Sequence, residues 1–160
     1  MKLTALAKLM AAFGLSFSAA LVGSLFTSRQ AINTWYANLN KPSFTPPGWL
    51  FGPVWTALYA LMAISAFLVW HKGLNYRAVR VALILFLVQL ILNALWTPLF
   101  FGAKMPGLAF TEILLLWVTI ALTILTFARV SRAAALLLVP YIAWVSFAAI
   151  LNASIWLLNR

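Results

Sequence analysis

The sequence predicts an all-α integral membrane protein: five antiparallel transmembrane helices in one compact bundle, forming a single domain over residues 1–160 with a long loop between helices one and two. Three observations predict it. Of the 160 residues, 66% are hydrophobic and 8% charged, with a mean hydropathy of +1.05, whereas soluble domains carry about 25% charged residues. Five apolar runs are each long enough to cross a hydrocarbon core, which takes about 20 helical residues. Most connections are short, the third little more than GAKMPG, so consecutive helices are expected to pack antiparallel as neighbours.

Helix one is predicted over residues 3–26. It begins Met-Lys like a signal peptide, but its apolar stretch is longer than a usual h-region, so it reads as a retained helix. Ala12, Ser16, Ala20 and Ser24 recur every four residues along it. That gives one small-residue face, for packing within the bundle or for a dimer seam. Helix two is predicted over 49–70, helix three over 81–101, helix four over 108–127 and helix five over 133–158. Pro98 in helix three and Pro140 in helix five each remove a backbone donor inside a span, which is tolerated where neighbours or a cavity absorb the freed carbonyls.

Charge gives the orientation. Lys2, Lys8, Lys72, Arg77, Arg80, Arg129 and Arg132 fall on one side, and Arg29, Lys41, Lys104 and Arg160 on the other. The bias predicts the amino terminus inside and the carboxyl terminus outside. The net charge of +10 is scattered over every loop instead of forming one patch, so no nucleic-acid partner is expected. Some of these residues are expected to anchor lipid headgroups.

Polar and aromatic residues inside the spans carry the functional signal. Gln89 and Asn93 lie four residues apart and share a helix face, which Trp96, Thr97 and Phe100 continue. A buried amide in lipid is costly unless paired, so this face looks into the bundle, as helix–helix glue or as ligand contact. At 1.5 Å per residue, Asn93 lies about 18 Å and Trp144 about 17 Å from the inner ends of their helices, and Trp55 about 9 Å below the outer end of its own. The three can form one layer. Trp49, Trp70 and Trp156 suit an interfacial aromatic belt, but Trp55, Trp96 and Trp144 are too deep for it. Tyr59 shares the face of Trp55, while Tyr141 and Ala148 flank Trp144. Together they describe an aromatic chamber with an amide in its wall, or an ordinary packed core.

The chain excludes several kinds of chemistry. It has no Asp, no Cys, one Glu and one His, so paired carboxylates, a nucleophile–His–acid triad and a metal cluster are unavailable. His71 reads as a solvated loop residue. Glu112, the only acid, falls about one turn into helix four and is expected to be protonated or paired with Lys104, an ion-pathway role being the alternative. The indoles remain, able to stack on a flat π-system or to exchange electrons with an excited one.

The motifs WYANLNKPSFTPPGW, VWTALYALMAIS, LNALWTPLFFG and VPYIAWVSFAAILN resemble the translocator protein family, also called tryptophan-rich sensory proteins or peripheral-type benzodiazepine receptors, in a bacterial-type member. The resemblance runs over essentially the whole chain from the first loop onward. It implies five helices around an internal pocket closed by the first loop as a lid, whose prolines lower the entropy of closing. It implies binding of porphyrin-type tetrapyrroles such as protoporphyrin IX and haem, for sensing, sequestration or transport in stress regulation, with no cofactor required. The ligand-binding residues carried over are Tyr36, Pro46, Phe51, Trp55, Tyr59, Asn93, Trp96, Trp144, Ala148 and Leu151. Two alternatives stand beside binding: light-dependent degradation of porphyrin through Trp55 and Trp144, and small-molecule transport. Family members are often homodimers. Two departures are visible: Phe44 stands where many relatives have tryptophan, and LNASIWLLNR offers Trp156 instead of the tyrosine of a sterol motif, which argues against sterol binding.

Overall fold

The structure, a computed structural model, describes residues 4–27 and 32–160. The predicted first residue of helix one, Leu3, and two of the basic residues, Lys2 and Arg29, lie outside them. The described residues form five helices long and apolar enough to cross a membrane. α1 runs Ala5–Phe26, α2 Gly48–His71, α3 Arg77–Gly102, α4 Pro106–Val130 and α5 Arg132–Leu158. Large apolar side chains such as Leu25, Ile91, Leu125 and Ile150 stand exposed on the outside of the bundle. That is the expected finish for a surface solvated by lipid tails.

Local chemistry sets the helix ends. Thr4 caps α1, its hydroxyl accepting the Ala7 N–H at 3.2 Å. Gly73, at φ 105°, ends α2 in the left-handed region where a side chain is strained. Pro106 opens α4 at a position whose N–H has no helical partner. Ser131 alone joins α4 to α5: its N–H donates to the Phe127 carbonyl at 2.7 Å, and its hydroxyl accepts from Ala134 N–H at 3.3 Å. α3 and α4 outrun their predicted bounds because Arg77, Arg80 and Arg129 end the apolar run without ending the helix. Arg80 folds back onto the Leu74 and Asn75 carbonyls. His71 is the last residue of α2 and lies against the Phe67 ring, so the loop assigned to it begins one residue later.

Both proline breaks are absorbed. Beyond Thr97 the backbone widens into a π-turn over Pro98–Gly102, closed by the Ala103 N–H donating to the Pro98 carbonyl at 2.8 Å. In α5 the helix pauses at Leu138 between Arg132–Leu137 and Val139–Leu158, so Pro140 falls in the first turn of the second segment.

The helices close a ring in the order α1, α2, α5, α4, α3. α1 lies against both α2 and α3, which makes α2 and α3 less close neighbours than their sequence order suggests. On α1 the fully packed small residues are Ala12, Ser16 and Ala19. The predicted stripe therefore serves packing within the bundle at its start, and it drifts from Ala20 to Ala19 because a helix turns every 3.6 residues, not four. α2 packs on the Arg132–Leu137 segment of α5. Ser65 donates to the Ala134 carbonyl there at 2.7 Å, and small Ala66, Ala134 and Ala135 let the backbones approach. Further along, α2 and Val139–Leu158 meet through aromatic rings, Trp55 with Tyr141 at 6.2 Å and Phe51 with Trp144 at 5.8 Å. The two helices diverge, and a cavity occupies the space between them.

Close packing also marks Gly107. A Cβ there would stand 2.8 Å from Trp156 Nε1, and that indole is stacked on Phe110. Gly107→Ala is expected to destabilise the bundle by about 1–3 kcal/mol, read as a fall in the thermal midpoint in detergent. Gly102→Ala should cost less, because its neighbour Phe26 is 41% exposed and free to swing aside. Adding Trp156→Phe to Gly107→Ala should recover part of the loss.

Candidate functional site

The cavity has a volume of about 600 Å³, within the ordinary range for small-molecule pockets. All ten residues predicted for the site stand on its wall: Tyr36 and Pro46 from the first loop, Phe51, Trp55 and Tyr59 from α2, Asn93 and Trp96 from α3, and Trp144, Ala148 and Leu151 from α5.

Its polar end is a hydrogen-bonded chain. Tyr59 Oη donates to Asn93 Oδ1 at 2.6 Å, Asn93 Nδ2 donates to Tyr141 Oη at 3.0 Å, and Tyr141 Oη donates to Gln89 Oε1 at 2.9 Å. Gln89 and Asn93 thus act as glue between α3, α2 and α5, and Asn93 also faces the cavity. Tyr141 is fully buried behind the wall instead of lining it. A second polar pin lies one turn along. Trp96 Nε1 donates to Asn152 Oδ1 at 3.0 Å, and Asn152 Nδ2 donates to the Pro106 carbonyl at 2.8 Å, joining α3, α5 and α4.

Between these pins the walls are rings. Trp55 lies against Tyr59 at 5.5 Å, and Trp96 stacks on Phe100 at 4.9 Å with an interplanar angle of 19°. Trp144 meets Phe51 and Phe147 at 5.8 and 5.4 Å, and its indole N–H is buried with no partner among the described residues. The π-turn lets Phe100 and Phe101 both reach the first loop, where each meets the Trp35 and Tyr36 rings. Burial pushes the Tyr36 phenol up from its ordinary value, so it remains a neutral hydroxyl.

The first loop is tied to the end of α5. Asn40 N–H donates to Asn159 Oδ1 at 2.9 Å, and Asn159 Nδ2 donates back to the Asn40 carbonyl at 2.9 Å. Phe44, nearly half exposed, reaches the Phe147 ring at 6.4 Å. Lys41 lines the cavity beside this clasp.

The sequence missed other wall residues. Ala20, Gly23, Ser24 and Thr27 of α1, Ile113 and Leu116 of α4, and Phe101 and Asn152 also line the cavity. A polar side chain at mid-span was a usable signal for Asn152. Ile113 and Leu116 carry none, being of the types found on every lipid face. Trp156 was assigned to the interfacial belt, yet it packs over Gly107 and Phe110. Of the two alternatives expected for Glu112, the pairing with Lys104 is not formed. The residue is 7% exposed and neither carboxyl oxygen is partnered among the described residues, while Lys104 stands exposed at φ 55° in the turn before α4.

Residues 12–157 match the TspO/MBR family. The chain belongs to that family. It is 47% identical over 146 residues to the tryptophan-rich protein TspO of Chlorobaculum tepidum, covering 91% of this chain and 92% of the relative. It is 44% identical over 137 residues to the translocator protein of Homo sapiens, covering 84% and 80%, and 38% identical over 125 residues to the tryptophan-rich sensory protein of Cereibacter sphaeroides, covering 78% and 77%. Like other TspO/MBR chains it is a multi-pass integral membrane protein, and its cavity is the feature a function must explain.

The hydrogen-bond chain yields a ranking. Tyr59→Phe removes one bond and should cost about 0.6–1.7 kcal/mol, the span measured for polar contacts between membrane helices. Asn93→Leu strips both tyrosines of a partner and should cost more, about 1–3 kcal/mol. Thermal unfolding of both variants in one detergent checks the order.

Proposed function

We propose that the cavity binds a porphyrin-type tetrapyrrole, protoporphyrin IX or haem, for sensing, sequestration or transport, with the first loop as its lid. One observation carries the reading: a cavity of about 600 Å³ lined by the rings of Tyr36, Phe51, Trp55, Trp96 and Trp144, with the Tyr59–Asn93 hydrogen bond and Lys41 also on its wall. A flat apolar macrocycle suits such walls, each aromatic pair adding about 0.5–1.5 kcal/mol beyond area burial. The proposal needs no cofactor. Haem would be held without histidine, because the only histidine, His71, ends α2 about 24 Å along the helix from Trp55. The positive-inside bias of the loops supports placing the first loop at the outer face, with the amino terminus inside.

A second reading, light-dependent degradation of the bound porphyrin with dioxygen as the final oxidant, is favoured by one contact set. Trp55 touches both Tyr59 and Tyr141, whose hydroxyls share the chain through Asn93. In that reading the electron that Trp55 passes to the excited porphyrin goes on to dioxygen, whose reduced products attack the macrocycle, and a neighbouring phenol can refill the indole radical.

Titration of the detergent-solubilised protein with protoporphyrin IX in the dark tests the binding. Tryptophan quenching should saturate in the micromolar range and weaken in Asn93→Leu combined with Trp144→Phe. Linear quenching identical in both proteins would mean partition into the micelle and would end this assignment. Under illumination in air at saturating porphyrin, the second reading expects absorbance to fall with wild type and to persist with Trp55→Phe, dark binding being measured for each; equal bleaching by both would remove it.

A further inference from the structure

Lys41 is the only lysine or arginine among the described residues of the cavity wall, and no acid shares that wall. Its ammonium is held in place. Nζ donates to the Ala37 carbonyl at 3.1 Å and the Leu39 carbonyl at 3.0 Å, and it sits 4.9 Å from the centre of the Tyr36 ring. An ammonium has three donors, so two carbonyls leave one N–H. The backbone on either side is fixed as well: Asn40 is clasped by Asn159 in both directions, and Pro42 fixes its own φ and restricts Lys41 before it. The only acid in the chain, Glu112, makes no ion pair with it. A cation is thus positioned where the first loop meets an apolar cavity, with no ion-pair partner among the described residues and with a donor to spare.

We propose that Lys41 sets the specificity of the cavity for ligands bearing a carboxylate, receiving that group at the loop end while the apolar body of the ligand fills the aromatic walls. This rests on the tetrapyrrole reading, and it assigns the acidic edge of the macrocycle to the first loop and the opposite edge to Tyr59 and Asn93. The arrangement suits both ends. The carboxylate stays at the level where charge is cheap, and the ring enters the region where it is not. Because the loop orders the ammonium beforehand, little side-chain entropy remains to be lost on binding.

Protoporphyrin IX and its dimethyl ester share one ring and differ in charge, so the pair isolates this contact. Wild-type protein in the dark is expected to bind the acid about tenfold or more tightly than the ester, the scale of a hydrogen bond to a charged group. Lys41→Met should bring the acid down to the affinity of the ester and leave the ester within about twofold, while Lys41→Arg should keep the preference. If the acid preference survives in Lys41→Met, another group reads the carboxylate and the proposal is overturned. Equal weakening of acid and ester also overturns it, since Lys41 would then only hold the loop. Saturable binding of both compounds to wild type with no preference defeats this proposal alone. Absence of saturable binding of either compound defeats the tetrapyrrole reading together with it.

Discussion

Asn93 is held from two sides, accepting from Tyr59 of α2 and donating to Tyr141 of α5, and the geometry of the cavity depends on that amide. Between helices in a bilayer the hydrophobic effect gives no net pull, because lipid tails are as apolar as leucine. What sets helix spacing is close packing together with polar groups that have nowhere else to go. Near the Arg132–Leu137 segment small residues bring α2 onto α5, and Ser65 on Ala134 fixes the contact. One level along, the amide requires two phenols to converge on it, and a phenol is long. The helices that carry Tyr59 and Tyr141 must therefore stand apart by the reach of their side chains. The cavity begins there. Trp96, Asn152 and the Pro106 carbonyl repeat the device on the α3–α4 side.

The irregular backbone obeys the same constraint. A bilayer tolerates broken helices only where the freed groups find partners inside the protein, and both breaks sit in that position. The π-turn at Pro98–Gly102 closes on itself through Ala103 and sits at the end of α3 beside the first loop. Its wider turn brings Phe100 and Phe101 to the same pair of loop rings, Trp35 and Tyr36, while Phe100 still stacks on Trp96. The loop's aromatic residues thus dock on the π-turn.

How far this was legible in the sequence depended on the kind of signal. The five spans were plain, since 20 apolar residues with few charges have little other use; their ends were not, because a helix can continue past the hydrocarbon on arginines such as Arg77 and Arg129. Gln89 and Asn93 announced themselves by polarity, and the deep tryptophans by depth. The family resemblance added the loop residues Tyr36 and Pro46, which no periodicity singles out. The α4 wall was silent, because Ile113 and Leu116 are identical in type to residues facing lipid, and the small-residue face of α1 that carries Ala20 and Ser24 was read as packing. Glu112 and Lys104 show the opposite error. Eight residues of separation suggested a pair, but Glu112 turns into the bundle on α4 while Lys104 is carried out on the preceding turn.

The first loop follows from these walls. It lies over apolar rings, and its tryptophan and tyrosine cover them at Phe100 and Phe101. Such cover alone is non-directional and would let the loop slide. The two-way Asn40–Asn159 clasp adds direction: it ties one backbone unit of the loop to the last turn of α5, 119 residues away in sequence. Prolines 42, 46 and 47 then narrow what the remaining backbone can do. The walls and the loop that lies over them are therefore held by contacts within the chain itself. The binding proposed for the cavity would then consume little energy in assembling the site, and selection would fall to the phenol–amide pair of Tyr59 and Asn93 and to the ammonium of Lys41.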